Sequence, residues 1–286
     1  MNAALWRFLF GPVGRLLPFR LCGVLARPLA WALWLAGVRR EVTLRNLELA
    51  MGHLPEDERR RIGRASYVNL FTVYLELLTL RHLSDEELRR RIRIRNIDLL
   101  HTIGPEGALL LSGHVGNWEL LAFGAAAIAG IPFTIVAKDQ QDYGQLTRMR
   151  TARGNRLIGM SSAARAATAL LRQGGVVAML ADQAAADHDV STDMFGLPTY
   201  TYGAPARLAL RFRPRVIAGY AVRGRDGNYD VELHEIPHAD LPDSPEGVQV
   251  FTQRYADDLA EVICRHPEQW VWQHRKWKNT PGVRYE

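Results

Sequence analysis

The hydrophobic rhythm of this 286-residue chain changes twice along its length. Residues 1–40 hold apolar blocks (ALW, FLF, LLPF, LCGVLA and PLAWALWLAGV) separated by arginines. From there to about residue 90 the spacing is helical. Leu44, Leu47 and Leu49 begin an apolar series, and Pro55 opens a long helix carrying Ile62, Tyr67, Leu70, Phe71, Tyr74, Leu75 and Leu78. Ser84 with Glu87 three residues on is a capping-box signature for a short helix before Ile92.

Beyond residue 100 the pattern alternates. ALLLSG (108–113), FTIVA (133–137), VVAML (176–180), RVIAGYAV (215–222) and YDVELHEI (229–236) read as strands. The first three are continuous apolar runs, as expected where both faces of a strand are covered. Helical stretches fall between and after them, at 118–130, around 141–153, at 162–175 and at 245–265. In the last, Val248, Phe251, Tyr255, Leu259 and Val262 form one stripe, with Pro245 in the first turn. This order predicts an α/β fold: a mixed, largely parallel sheet flanked by helices, with ligands near the carboxyl ends of its strands. One domain over 41–286 preceded by an N-terminal helical segment, 1–40, is the expected organisation.

Composition narrows the partner. The chain is 48% hydrophobic and 23% charged, which excludes a disordered chain, and two cysteines exclude a disulfide scaffold. Cys22 and Cys264 lie far apart and without metal-ligand spacing, so a reducing compartment is expected. A formal charge of +6, carried almost wholly by arginine, asks for an anionic partner. Aromatic-rich nucleic-acid modules are missing, which removes nucleic acid from the candidates. Arg7, Arg15, Arg20, Arg27, Arg39 and Arg40 fall in the first forty residues, where there is no acid. The longest uncharged block there, 28–38, spans roughly 17 Å as a helix, about half of a ~30 Å hydrocarbon core. An interfacial helix therefore fits better than a spanning one, with Trp6, Phe8, Phe10, Trp31 and Trp34 toward acyl chains and arginines toward headgroups. A core helix pair and a signal peptide are the competing readings, the latter opposed by the interrupting arginines and the lack of a cleavage site.

The candidate chemistry sits in SGHVGNWE, 112–119. A buried strand ends, His114 follows, and Glu119 comes five positions later. On one continuous helix those side chains would lie about 140° apart, so they converge only with His114 in the turn and Glu119 in the helix that follows. Asn117 is then the expected N-cap, and Glu119 lies in the first turn, where the dipole favours a carboxylate. A carboxylate on one imidazole nitrogen leaves the other to take a proton from a hydroxyl. This is what acyl transfer to a substrate hydroxyl requires, since the substrate is itself the nucleophile. Spacing alone is weak support, because such pairs arise by chance; the position at a strand's carboxyl end among glycines strengthens it. There is no G-x-S-x-G elbow, P-loop, G-x-G-x-x-G fingerprint or zinc spacing, and no cofactor or metal is expected.

Several segments in order resemble the bacterial lipid A biosynthesis acyltransferases, within the wider His-x4-acidic glycerolipid acyltransferase superfamily. They are TLRNLELAM (43–51), SGHVGNWE, RTARGNRLI (150–158), LRQGGVVAMLADQ (171–183), FGLPTYTYGAPARLALR (195–211) and PEQWVWQHRKWK (267–278). The resemblance implies transfer of a fatty acyl chain from acyl carrier protein to a hydroxyl of a phosphorylated, Kdo-bearing lipid A precursor, at the cytoplasmic face of the inner membrane. It implies His114 as general base, Glu119 as the group that orients it, Arg150 at the acyl carbonyl or oxyanion, and Asp182 positioning the acceptor. Gly113, Asn117 and Gln183 are expected beside substrate.

The chain departs from the family pattern at Met194-Phe195-Gly196, where two phenylalanines are common, and in the acidic stretch AAADHDVSTD (184–193). Both bear on the acceptor, and acyl transfer to another glycolipid such as a mannosylated inositol lipid, or from acyl-CoA, stays open. So does a non-catalytic lipid-binding adaptor. Arg153 and Arg156 are candidates for phosphate or carbonyl contact. Arg275, Lys276 and Lys278, interleaved with Trp270, Trp272 and Trp277, form either an interfacial basic–aromatic patch or a tail folded over the core. The arginine runs 59–61 and 89–91 read as solvated helix faces, and His188, His234, His238 and His266 as surface residues.

Overall fold

The computed structural model describes residues 3–138 and 144–285. Its centre is a six-stranded sheet in the order His234–Glu235, Arg215–Ala218, Ala108–Ser112, Val176–Leu180, Thr134–Ala137, Arg156–Gly159. All neighbours pair in parallel except the His234–Glu235 edge strand, which is antiparallel. The expected mixed, largely parallel sheet is therefore present, with Ala108–Ser112 near its middle.

Helices cover both faces. On one side Leu109, Leu111, Val177 and Met179 pack against Leu171, Leu210, Phe251 and Leu259, from helices Ala163–Leu171, Ala204–Phe212 and Pro245–Arg265. On the other, Ala108, Val176 and Ile217 meet Leu120, Phe123 and Ala126 of helix Trp118–Ala129. Fully burying each of the larger side chains among them (Val, Leu, Ile, Met, Phe) is worth about 1.5–3 kcal/mol, and the alternation follows from the two-residue strand period.

Local sequence explains several element boundaries. Ser84 accepts from the Glu87 N–H while the Glu87 carboxylate accepts from the Ser84 N–H, completing the capping box of helix Asp85–Arg91. Pro55 immediately precedes helix Glu56–Thr79. Arg60–Glu56 and Arg61–Glu58 pairs lie one turn apart on its exposed face, as Arg90–Glu86 does on the next helix. Exposed pairs of this kind add little stability; Arg60, Arg61, Arg89 and Arg90 lie on solvated faces as expected, whereas Arg59 and Arg91 are half-buried.

Three segments depart from the sequence expectation. RVIAGYAV breaks after Ala218: Gly219 lies where a Cβ would come within 2.7 Å of Leu233, and Val222–Arg223 joins a different sheet. YDVELHEI divides likewise, Tyr229–Glu232 pairing with Ile92–Arg95 and His234–Glu235 with the main sheet. The acidic stretch begins a hairpin, Val190–Met194 with Leu197–Thr201, turned by Phe195 and Gly196, both at positive φ. Its acids serve the fold: Asp189 accepts from the Gly203 N–H and Asp193 from the Gly196 N–H. Of the helix expected around 141–153, Gly144–Thr151 is seen and 141–143 lie outside the described residues.

The N-terminal region is helical, with helix Cys22–Leu35 packed on Glu56–Thr79. Phe10 and Phe19 are buried in the same cluster as Leu77 and Phe123. Among the described residues no single helix is long and apolar enough to cross a membrane; Leu5–Leu16 and Phe19–Leu35 together have the length and composition but meet at a 102° bend. Ten of the fourteen large hydrophobic side chains exposed among the described residues fall between Leu5 and Val38, so this surface is unlike the rest.

Candidate active site

The turn from strand Ala108–Ser112 into helix Trp118–Ala129 is held from three directions. His114 C=O accepts from the Val271 N–H, the Gly116 N–H donates to Gln269 C=O, and the Asn117 N–H donates to Ala221 C=O. Gly116 has φ +58°, and a Cβ there would lie 1.8 Å from the Ala221 oxygen, so only glycine fits. Asn117 caps the helix as expected, its Oδ1 accepting from the Leu120 N–H at 2.8 Å. Its amide NH₂ donates to Glu76 at 2.7 Å. With both ends engaged and no exposure, Asn117 supports the site from within and is not a substrate contact.

The carboxylate on the imidazole is Asp182, not Glu119. His114 Nδ1 lies 2.7 Å from Asp182 Oδ1, and the His114 backbone N–H donates to Oδ2 at 2.8 Å. Trp270 Nε1 donates to the same Oδ2 at 3.0 Å. Asp182 leaves the carboxyl end of strand Val176–Leu180, neighbour of Ala108–Ser112, so parallel register brings two residues 68 apart into contact. Gly113 permits the approach, since a Cβ there would sit 3.3 Å from the Asp182 side chain. Asp182 is 2% exposed with its oxygens occupied, so it orients the histidine and has no free face for an acceptor.

Burial favours the neutral imidazole, but the charge and hydrogen bond of Asp182 outweigh it, and His114 titrates above its ordinary 6.5. Burial likewise opposes the Asp182 carboxylate; the His114 charge and hydrogen bonds prevail and hold it well below the usual carboxylate range. A ring whose Nδ1–H donates to Asp182 presents Nε2 as its acceptor, and 21% exposure of the side chain leaves it accessible.

Glu119 instead clamps Arg150. The arginine Nε donates to Oε2 at 2.9 Å and a second guanidinium nitrogen donates to Oε1. The first-turn position predicted for Glu119 is where it lies, but its carboxylate serves Arg150 from helix Gly144–Thr151. Both residues and His114 line one cavity of about 340 Å³, walled by the sheet and helix Trp118–Ala129. Leu110, Ile135 and Ala178 line it from the sheet, Ala122 and Ala125 from the helix, and Gln183 lines it too, as expected of a residue beside substrate. The cavity explains why Leu110 and Ala178 are only half-buried in central strands.

The remaining candidates are elsewhere. Arg153 donates to Leu83 C=O at 2.7 Å and to Asp85, tying a loop and stacking over Phe123. Arg156 opens its strand at the register of Thr134, toward the end of the sheet opposite His114. Trp270, Trp272 and Trp277 are buried, at 3%, 0% and 0% exposure, so the C-terminal segment is a tail folded over the core. Lys276 is buried with it, its ammonium 3.4 Å from Thr201 Oγ1, and burial lowers it to about 8. Arg275 lies exposed over the Tyr285 ring. Of the four histidines expected on the surface, His188 is exposed, whereas His234 is half-buried and pairs with Asp258 at 2.6 Å.

Sequence reasoning missed two supports. His274 Nε2 accepts from the Ala184 N–H at 3.0 Å, fixing the chain after Asp182, and burial lowers it to about 4. Both His274 and Trp270 stand in the quoted WVWQHRKWK signature, which was the available signal. Glu76, wholly buried, binds Asn117, Tyr229 (2.5 Å) and Arg223. It sits in the last turn of the long helix Glu56–Thr79 and carried no signal.

Residues 4–279 match the family model described as bacterial lipid A biosynthesis acyltransferase. The chain belongs to this family. Among characterised relatives, the phosphatidylinositol mannoside acyltransferases of two Mycobacterium tuberculosis strains are each 27% identical over 179 residues, 60% of this chain and 54% of theirs. The matched region thus spans about half the length of those relatives. The family's description names acyl transfer, the chemistry that the motifs implied.

Proposed function

We infer that this acyltransferase moves a fatty acyl chain from acyl carrier protein to a hydroxyl of a phosphorylated, Kdo-bearing lipid A precursor, with His114 as general base. The observation that carries the reading is the His114–Asp182 pair at the rim of an apolar cavity. Nε2 takes the proton of the acceptor hydroxyl as its oxygen attacks the thioester carbonyl. The tetrahedral oxyanion then collapses, the C–S bond breaks, and the imidazolium returns the proton to the departing thiolate. The charge of Arg150, steadied by Glu119, favours the oxyanion. The acyl chain lies in the cavity, whose size falls within the ~300–1,000 Å³ of small-molecule sites.

The exposed apolar N-terminal surface and its arginines support work at an anionic membrane surface, the cytoplasmic face of the inner membrane, with residues 1–40 as the attaching segment. The acceptor has a second reading, a mannosylated inositol lipid, favoured by the names of the mycobacterial relatives. Expression in a strain lacking its own lipid A acyltransferases, followed by lipid mass spectrometry, tests both. One added acyl chain on the lipid A precursor is expected, and His114→Ala should reduce it by about 10²–10⁴-fold. Unchanged lipid A, with acylation of a supplied mannosylated inositol lipid, would move the assignment to the second acceptor. Full transfer by the alanine variant would remove His114 from the chemistry.

A further inference from the structure

Away from the His114 cavity, five arginines converge on two adjoining pockets of about 390 and 410 Å³. They come from separate parts of the chain. Arg20 and Arg27 belong to the N-terminal region, Arg91 ends helix Asp85–Arg91, Arg223 ends strand Val222–Arg223, and Arg225 lies in the turn after it. Both pockets share Arg20, Arg223 and Gly227, and neither shares a lining residue with the His114 cavity.

Their charge is only partly balanced from within, by Glu76 beside Arg223. The acids lining them are Asp226 and Glu268. Asp226 is engaged by Arg93 at 2.8 Å and by both the N–H and the amide of Asn228. Glu76 binds one nitrogen of Arg223 from beneath, whereas the other lies 3.0 Å from the position a Cβ on Gly23 would take. Glycine at 23 therefore leaves room for that guanidinium edge, which faces the pockets.

Arg91 is the most telling. Its Nε is buried with no hydrogen-bond partner among the described residues. Among the described residues its guanidinium donates only to Asn228, at 3.2 Å, and lies over the Phe19 ring at 5.2 Å. Burial and the nearby charge of Arg20 both press against its protonated form. Among the described residues Arg20 has no ion pair of its own, so like charges face each other across a cavity. Such an arrangement costs energy unless a counter-charge enters.

We propose that Arg20, Arg91 and Arg223 form a binding site for a phosphate group, separate from the catalytic cavity. Guanidinium forks suit phosphate because they give paired, charge-assisted hydrogen bonds. The site borders the exposed apolar face formed by Leu21, Val24 and Leu25, so a phospholipid headgroup could enter it while its chains stay outside. Free inorganic phosphate offers the same chemistry from solution. The proposal does not depend on acyl transfer.

The test uses the full chain and two probes. Arg20 is exposed and pairs with no described residue, so Arg20→Gln should fold normally; Arg15→Gln, exposed and outside the pockets, removes the same charge elsewhere. Binding to phosphatidylcholine vesicles with and without phosphatidylglycerol is measured, alongside thermal unfolding with and without inorganic phosphate against chloride at equal ionic strength. Phosphate should raise the Tm of the wild type and of Arg15→Gln but not of Arg20→Gln. If the lipid headgroup is the natural source, Arg20→Gln should also weaken phosphatidylglycerol-dependent binding about fivefold more than Arg15→Gln. Equal vesicle binding by the two variants, with the Tm difference kept, assigns the site to free phosphate. Equal behaviour of the two variants in both measurements would overturn the proposal, because the arginines would then act only as diffuse surface charge.

Discussion

Asp182 sets two properties of His114 at once, its tautomer and its basicity. A carboxylate on Nδ1 leaves the proton-accepting nitrogen pointing at the cavity and supports the cation formed when it accepts a proton. Because His114 titrates above 6.5, the base is neutral only above that value, and kcat/KM should fall on an acidic limb lying there. Asp182→Asn should lower the rate on the order of 10⁴-fold by losing the tautomer, and should move the limb of the residual activity to lower pH. Stability has its own sign. The raised imidazole stabilises the fold below about pH 6.5, and the depressed carboxylate does so above about pH 4, so wild type and Asp182→Asn should differ most in Tm between those values. A pH-rate profile with thermal unfolding at several pH values checks both; an unmoved limb would mean that another group titrates. The identity of His114 and Arg150 as candidates was legible from motif letters. The carboxylate was not, because a pair five residues apart is visible in a string while a pair 68 apart needs two strands laid side by side.

Helix Trp118–Ala129 carries both Glu119 and part of the cavity wall. Its first turn carries Glu119 and the Asn117 cap, a type of cap worth about 1 kcal/mol. Its next turns place Ala122 and Ala125 against the cavity, where small side chains leave volume. Ala122→Leu should shorten the preferred acyl chain, since rejecting one surplus methylene in an apolar pocket is worth about 10–200-fold. Competition between acyl donors of graded length, read by mass spectrometry, checks this; an unchanged preference would place the chain elsewhere. The periodicity of this helix marked its span closely, at 118–130 against Trp118–Ala129. The strands after residue 215 were less legible. Their apolar letters continue through Gly219 and Leu233 while the backbone passes from one sheet to another, and periodicity records which face is covered but not by what.

Across the whole molecule the apolar surface is lopsided. Exposed Leu21, Val24, Leu25, Leu29, Trp31 and Leu35 lie on or beside helix Cys22–Leu35, as do exposed Arg20 and Arg27. Leu25 and Leu29, at 44% and 47% exposure, stand one turn apart on one helix face. Burying each in a bilayer interface would contribute up to about 1.5–3 kcal/mol, so Leu25→Gln with Leu29→Gln should weaken vesicle binding by at least about tenfold. Tm should stay nearly constant, because neither side chain belongs to the core. Co-sedimentation with vesicles and thermal unfolding separate these effects, and undiminished binding would remove this face from the membrane contact.

The sequence by itself determined the local and the repeated: helix spans and caps, the covered strands, the glycine turn around His114, the arginine excess of the first forty residues, and the ordered motifs that place the chain in its family. Each rests on neighbours within a turn or a strand, where spacing along the chain is also spacing in space. Tertiary structure alone decided which carboxylate meets His114, that Glu119 belongs to Arg150, that Lys276 and the C-terminal tryptophans are interior, and that Arg20, Arg91 and Arg223 share a pocket. These are contacts between segments tens to hundreds of residues apart. Their energy comes from excluding water and matching charge in three dimensions, and a one-dimensional pattern carries no term for that.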